Sequence, residues 1–550
     1  MATSSSTARK PTTRRARTQP KPCSFAHPGI PNRPVDANVK ERSRRTQGHD
    51  ATVLPQYSSP SHSPSYICIL PPEILAEIFA YCIPTEQFPI PSRTEAPLLL
   101  THVSSFWRSV AISTPDLWSS FHINYKDPTE DIALANLWLS RSLNKRLSIS
   151  IAVDFGEQPQ QAILDALCRH AKRWKHVRFD FRHLLCPPMY SLDLAQGNVP
   201  ELTTFEFHAR DISNTNISPI THLLSSAPQI RELSWVDDLA DMETLLELPL
   251  SRISRLSLSM EHGTLDYLKV LNECPNLEHI RITKPLLQTT HQSPLFLSKL
   301  SSLNISSDLT GILDHLILPA LREVRIYSAD NEKHAQPHSP LHHASPHVQP
   351  HSSPVSSTTE TWDPTAFLSL VDRSACAITS LSVTPPMSEV ALLMCLPRMS
   401  ASLVKLSIEG VAIGDTLLGC LTRPSTSSRR RDSNAVTHVG SASAHGDFLC
   451  PLLTDINLDT RIVCSPGVLA GMVRSRMNVS ECNVHSNVSW TRMRKLRVAD
   501  GHNDIEMLKE LSRESHTSAT SSLVLDIIPK KPNRMRNRHY FFRRKLCASR

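Results

Sequence analysis

A unit with a period of 21 to 28 residues recurs along more than half of this 550-residue chain, and it limits the fold more than any other feature. Each copy opens on a proline or small-residue turn, continues as x-L-x-x-L-x-L/I, and ends in an apolar-faced stretch. The copies are VPELTTFEFHA at 199, APQIRELSWV at 227, LSRISRLSLSM at 250, CPNLEHIRI at 274, LSKLSSLNI at 297 and LPALREVRI at 318. Their register residues Leu202, Ile230, Ile253, Leu277, Leu300 and Leu321 lie 28, 23, 24, 23 and 21 apart. The alternating part predicts a short strand, and pieces such as SPITHLLSSAP and LDYLKVLNECP predict helices between strands. Neither element can bury its apolar side alone. Stacking the copies aligns the strands in a parallel sheet and buries one continuous core. The expected fold class is an α/β repeat, a curved solenoid with a broad concave face.

The period and leucine pattern resemble a leucine-rich repeat. The asparagine that ladders such repeats is not consistently present, so residues 176–528 read as a degenerate leucine-rich-repeat-like solenoid. Further copies stand at CAITSLSV, SASLVKLSI, CPLLTDINL and TRMRKLRV. Trp235, Asp237 and Asp238 fall at a strand end, where a solenoid displays ligand contacts; they are candidate substrate contacts, with edge packing as the competing reading. Two inserts interrupt the array. Residues 331–361 carry His334, His338, His342, His343, His347 and His351 among prolines and serines. Imidazoles bind metals, but no Cys or acid stands at ligand spacing and the prolines prevent a helix from gathering them. A disordered loop without metal is expected there, and a second loop at 423–446 around Arg429-Arg430-Arg431.

Ahead of the repeats lies a different kind of segment, Leu70 to Phe121. Pro71 and Pro72 suit a helix start, where a missing N–H costs nothing, and Glu73 suits the first turn beside the helix dipole. Ile74, Leu75, Ile78 and Phe79 form one helical stripe that stops at Pro84. Leu99, Leu100, Val103, Phe106, Trp107 and Val110 form a second, which Pro115 ends; Leu117, Trp118 and Phe121 close the unit. At about fifty residues it is near the lower limit for a self-sufficient core, so part of its apolar surface needs a partner. The blocks Leu70-Pro71-Pro72-Glu73-Ile74-Leu75, Val103-Ser104-Ser105-Phe106-Trp107-Arg108 and Pro115-Asp116-Leu117-Trp118 together resemble an F-box. Ser104 stands where that family usually has cysteine. The long insert Pro84–Pro97 resembles the version found in mushroom-type (basidiomycete) fungi, as does Leu137-Trp138-Leu139-Ser140-Arg141-Ser142 running into Leu147-Ser148-Ile149-Ser150-Ile151. The expected plan is a disordered basic tail (1–65), the F-box (66–125), a linker helix and first strand (126–175), the solenoid (176–528) and a second basic tail (529–550).

The resemblance implies a substrate-recognition adaptor of a Skp–cullin–F-box type ubiquitin ligase. Leu70, Pro71, Ile74, Leu75, Ile78, Leu99, Val103, Trp107 and Trp118 would supply the surface for a Skp-type adaptor of a cullin–RING ligase, and the core beneath it. The repeats would hold an unknown protein substrate. No catalytic residue and no cofactor is implied.

The rest of the composition narrows the alternatives. Glycine is scarce at 14 residues against 42 prolines, which argues against a glycine-lined nucleotide fold. G-x-x-x-x-G-K-S/T, G-x-G-x-x-G, G-x-S-x-G and H-E-x-x-H do not occur. Cys168 and His170 fall on an expected helix and read as packing and surface residues. The thirteen cysteines are scattered with no CxxC, and the first residues lack the apolar core of a secretory signal. Reduced thiols in a cytoplasmic and/or nuclear protein are expected. No run of about 18 apolar residues predicts a membrane span. Residues 1–50 hold eleven Lys/Arg and three Asp/Glu, and 529–550 hold nine Lys/Arg and no acid, so within a net charge of +8 the stretch between them carries −9. Two basic tails on an acidic body support an alternative, a repeat scaffold binding nucleic acid or chromatin through those tails.

Overall fold

The computed structural model describes residues 70–84, 88–125, 128–153, 161–185, 190–210, 214–237, 245–260, 267–283, 293–327, 362–384, 387–423, 449–460, 462–478, 490–517 and 522–529. All of them belong to the compact unit Tyr66–Arg550. The expected tails at 1–65 and beyond 529, and the inserts 331–361 and 423–446 save for Arg423, lie outside the described residues.

The chain begins as helices. α1 (Pro72–Tyr81) starts behind Pro71, whose carbonyl accepts from Leu75 N at 3.1 Å, and carries Glu73 in its first turn. α2 (Leu100–Val103) and α3 (Ser105–Ile112) follow, then a 3-10 turn at Pro115–Trp118. Ser104 caps α3: its Oγ accepts from Trp107 N at 3.1 Å. A serine hydroxyl is among the best groups at that position.

Strands then dominate. They are β1 (Ser120–Tyr125), β2 (Leu147–Val153), β3 (Trp174–Leu185), β4 (Thr204–Arg210), β5 (Glu232–Asp237), β6 (Arg255–Met260), β7 (His279–Thr283), β8 (Leu295–Phe296), β9 (Ser302–Ser306), β10 (Leu316–Ile317), β11 (Glu323–Tyr327), β12 (Ser380–Val383), β13 (Lys405–Glu409), β14 (Asp455–Asp459), β15 (Lys495–Ala499) and β16 (Val524–Ile528). Fourteen of them form one sheet in chain order, skipping only β8 and β10, which pair with each other. Every pairing is parallel, so each connection must return across the sheet, and helices make most of these crossings. α4 (Pro128–Arg141) joins β1 to β2, α5 (Gln161–Cys168) joins β2 to β3, and α6 (Asn214–Ser225) joins β4 to β5. Where the repeat shortens, the crossing tightens: the stretch after β9 is a 3-10 helix at Ser307–His315. The result is an α/β repeat-like solenoid, as the recurring unit requires.

The expected register residues Leu202, Ile230, Ile253, Leu277, Leu300 and Leu321 are all buried, and Ile378, Leu403, Leu453 and Met493 continue the row. Their burial forms the spine of the core, at roughly 1.5–3 kcal/mol for each large side chain. The inserts do not interrupt it. Glu323 pairs with Ser380 across one, and Lys405 with Asp455 across the other. One boundary differs from expectation. The sheet begins at Ser120, inside the stretch assigned to the helical unit, and 126–175 is a part of the array rather than a linker. Ser120, Ser148, His176, Thr204 and Glu232 are register partners spaced 28 residues apart. β1 and β2 fill their buried slots with Phe121, Ile123, Ile149 and Ile151, so a leucine pattern does not detect them.

Candidate functional site

The helical unit divides its apolar residues between two directions. Leu75, Phe79, Leu100, Val110, Ala111, Leu117 and Trp118 are buried and continuous with the solenoid core. Trp118 donates through Nε1 to Ala111 O at 2.8 Å and meets Trp138 of α4 edge-on at 5.0 Å. The Arg141 guanidinium lies over the Trp118 ring at 4.3 Å. Asp116 pairs with Lys145 at 2.9 Å, and Ser148 N donates to Ser119 O. The unit is thus a cap on the first repeat and shares its core.

The opposite side is left open. Ile74 (51% exposed), Ile78 (40%) and Tyr81 (83%) follow i, i+4, i+7 along α1, while Leu99 (44%) and Val103 (54%) are exposed at α2. With Ile90 and Ile112, seven large apolar side chains of this small unit are in contact with water, the kind of exposure that accompanies interaction surfaces. Of the nine candidate adaptor contacts, Ile74, Ile78, Leu99, Val103 and Pro71 are exposed. Leu70 is half-buried, and so is Trp107, which packs on Phe79 at 4.9 Å. Leu75 and Trp118 belong wholly to the core beneath. Tyr81 is absent from the sequence-based set, although its spacing from Ile74 and Ile78 was the signal that could have found it.

The insert after α1 is anchored. Pro89 O accepts from His122 N of β1 at 2.8 Å, and the Phe88 ring lies 4.7 Å from the His176 ring of β3. His176 Nε2 meets Glu206 Oε1 at 2.7 Å, Arg178 reaches Asp180 at 3.4 Å and Glu206 at 3.7 Å, and His208 lies 3.7 Å from Asp180. Burial pushes the Glu206 carboxyl up, but the His176 hydrogen bond and the charges of Arg178, His176 and His208 hold it below its ordinary value.

The outward row of the sheet is polar throughout. Arg178, Glu206, Ser234, Ser257, Arg281, Asn304 and Arg325 are successive register partners. A shallow groove of about 310 Å³ runs along Glu206, Glu232, Ser234, Arg255, His279 and Arg281, with Arg255 bonded to Glu232 at 2.8 Å. The substrate candidates at the end of β5 fare differently. Trp235 is fully buried against Phe207 at 4.8 Å and cannot meet a ligand; a strand-end tryptophan on the core side packs inward. Asp237 ends β5, and Asp238 lies outside the described residues.

Two of the described thiols, Cys168 and Cys464, are held above the ordinary thiol value. Cys168 closes α5 and is buried, and burial with the nearby Asp165 charge pushes it up to about 12. Cys464 Sγ lies 3.4 Å from His502 Nε2, a pair the sequence did not single out. Asp504 N donates to the other ring nitrogen, His502 Nδ1, at 3.1 Å. Burial, with Asp504 and Asp415 nearby, holds Cys464 above its ordinary range. Among the described residues, no group of three or more His, Cys, Asp or Glu could hold a metal ion. Among the same residues, no helix is long and apolar enough to cross a membrane.

No protein-family profile matches the chain, and no curated protein matches it. Among solved structures, a Bacteroides fragilis protein, a structural-genomics target, is similar over 74% of each chain at 12% identity and a TM-score of 0.23, a likeness too loose to carry an argument.

Proposed function

We propose that this chain is a substrate-recognition adaptor of a Skp–cullin–F-box type ubiquitin ligase. The cap is an F-box that docks onto a Skp-type adaptor, and the sheet of leucine-rich-repeat type holds a protein substrate. The supporting observation is the two-sided cap: one apolar side is fused to the array, and the other, with Ile74, Ile78, Tyr81, Leu99 and Val103, meets water. The chain itself contributes no nucleophile and needs no cofactor. It works by proximity, raising the effective concentration of a substrate lysine near a ubiquitin-loaded enzyme. Such a role belongs in the cytoplasm and/or nucleus and needs no membrane.

Because the cap shares its core with α4 and β1, binding is best measured on the full chain against a purified Skp-type adaptor. Ile78→Asp places a charge in the exposed stripe without touching the core, and it is expected to weaken binding at least tenfold at an unchanged melting temperature. Undiminished binding by both Ile78→Asp and Val103→Asp would overturn the assignment.

The two basic tails motivate the competing reading, a repeat scaffold for nucleic acid or chromatin. It requires nucleic-acid affinity that falls steeply with salt and disappears when residues 1–50 and 529–550 are removed.

A further inference from the structure

A second cavity, of about 600 Å³, lies where the cap meets the first repeat. It is lined by Arg93 of the insert, Thr101 and His102 of α2, Arg108 of α3, and Glu130 and Arg141 of α4. Three guanidiniums therefore face one carboxylate. Among the described residues, Arg93, Arg108 and Arg141 form no ion pair. Two of them are held in place without being neutralised. Arg108 Nε donates to Thr101 O at 2.8 Å, and Arg141 rests on the Trp118 ring at 4.3 Å. Partial burial also pulls the Arg141 guanidinium below its ordinary value, a sign that its charge is incompletely solvated. Like charges gathered in one concavity repel each other and concentrate anions. Guanidiniums match phosphate oxygens with paired N–H donors. The volume lies within the range of small-ligand sites.

We infer that this cavity binds a small anion bearing at least two phosphoryl groups, gripped by Arg93, Arg108 and Arg141. Arg93 and Arg108 belong to the cap and Arg141 to the first repeat, so the bound anion ties the two together. The inference is independent of the ligase assignment: the cavity exists whether or not α1 and α2 dock a partner.

Titration calorimetry on the full chain, at fixed ionic strength and with inorganic pyrophosphate as probe, tests it. One saturable site is expected, with sulfate binding at least tenfold more weakly. Arg93→Glu, in an exposed loop, and Arg141→Gln are each expected to weaken pyrophosphate binding tenfold or more. Pyrophosphate should raise the melting temperature of the wild type and not of Arg93→Glu. Absence of saturable binding overturns the site. So does unchanged affinity in Arg93→Glu, which would put the anion on the basic tails, and Arg93→Glu decides alone if Arg141→Gln fails to fold. Equal affinity for sulfate overturns the polyphosphoryl assignment.

Discussion

The two ends of the sheet fill the same register with different materials. From β3 to β5 the inward positions hold Phe179, Phe181, Phe205, Phe207 and Trp235, in a chain of ring contacts: Phe179 to Phe205 at 5.7 Å, Phe181 to Phe207 at 6.4 Å and Phe207 to Trp235 at 4.8 Å. From β12 to β16 the equivalent positions are aliphatic, such as Val383, Ile408, Leu458 and Val498. Spacing alone does not select the rings, since β2 keeps the 28-residue spacing with Ile149 and Ile151 in the same slots. Polar ties join neighbouring repeats at both ends, as where Arg252 donates to Ser225 O and Ala227 O, and at the far end buried or helix-start carboxylates make them. Glu389 accepts from Leu417 N at 2.9 Å, Asp415 from Ser465 N at 2.7 Å, and buried Asp504 from Gly467 N at 2.7 Å and Ala470 N at 3.0 Å, each carboxylate meeting backbone N–H groups at or near a helix start. Arg476, fully buried, donates to the carbonyls of Leu421, Leu449, Cys450 and Leu453, and so joins the two ends of the stretch 424–448. Burial lowers this guanidinium to about 10. Volume holds one end together, and directed polar bonds do more of that at the other, where segments of different length interrupt the array.

The sharpest way to break this contrast is to empty the core at both ends. Trp235→Ala is expected to cost about 4 kcal/mol and Leu458→Ala about 3 kcal/mol, read from urea unfolding midpoints. Trp235→Phe should cost far less, because the Trp235 Nε1 is buried without a hydrogen-bond partner and its loss frees no acceptor. A Trp235→Ala cost below that of Leu458→Ala would remove the aromatic row from the account. Next, Arg476→Met is expected to cost about 3 kcal/mol by leaving several carbonyls without a donor. Amide exchange should quicken around 449–477 while β3 to β5 stay protected, and equal acceleration everywhere would show that the two ends are not separate. The smallest effect concerns the outward face of the aromatic end. The Glu206 carboxyl is held below its ordinary value of 4.5, so its contribution is complete above that pH and is lost as pH falls through its lower folded value. Wild type should lose stability faster than Glu206→Gln on acidification below about pH 4.5, and parallel melting curves for the two would contradict this.

Much of the array was legible in the chain. A leucine or isoleucine every 21 to 28 residues, each in front of an alternating strand, is a local pattern, and Leu202 through Leu321 are buried as that pattern demands. The stripes on α1 to α3 were equally local. β1 and β2 were not read as repeats, because Phe121, Ile123, Ile149 and Ile151 do the work of leucine there and only pairing reveals their register. Trp235 was misplaced because the period-2 alternation of a strand does not say which face is the core side.

The amino-acid sequence by itself determined that the chain stacks repeats and that a distinct helical segment precedes them, since both follow from short-range periodicity. Tertiary structure alone decided which cap residues remain available. Ile74 and Leu75 are neighbours in one apolar stripe, yet Leu75 is buried and Ile74 is half in water. The Trp118–Trp138 contact set that division by seating the cap on α4, and the same docking gathered Arg93, Arg108 and Arg141 around one cavity. Residues up to 48 positions apart in the chain meet there only because non-local packing brought them together.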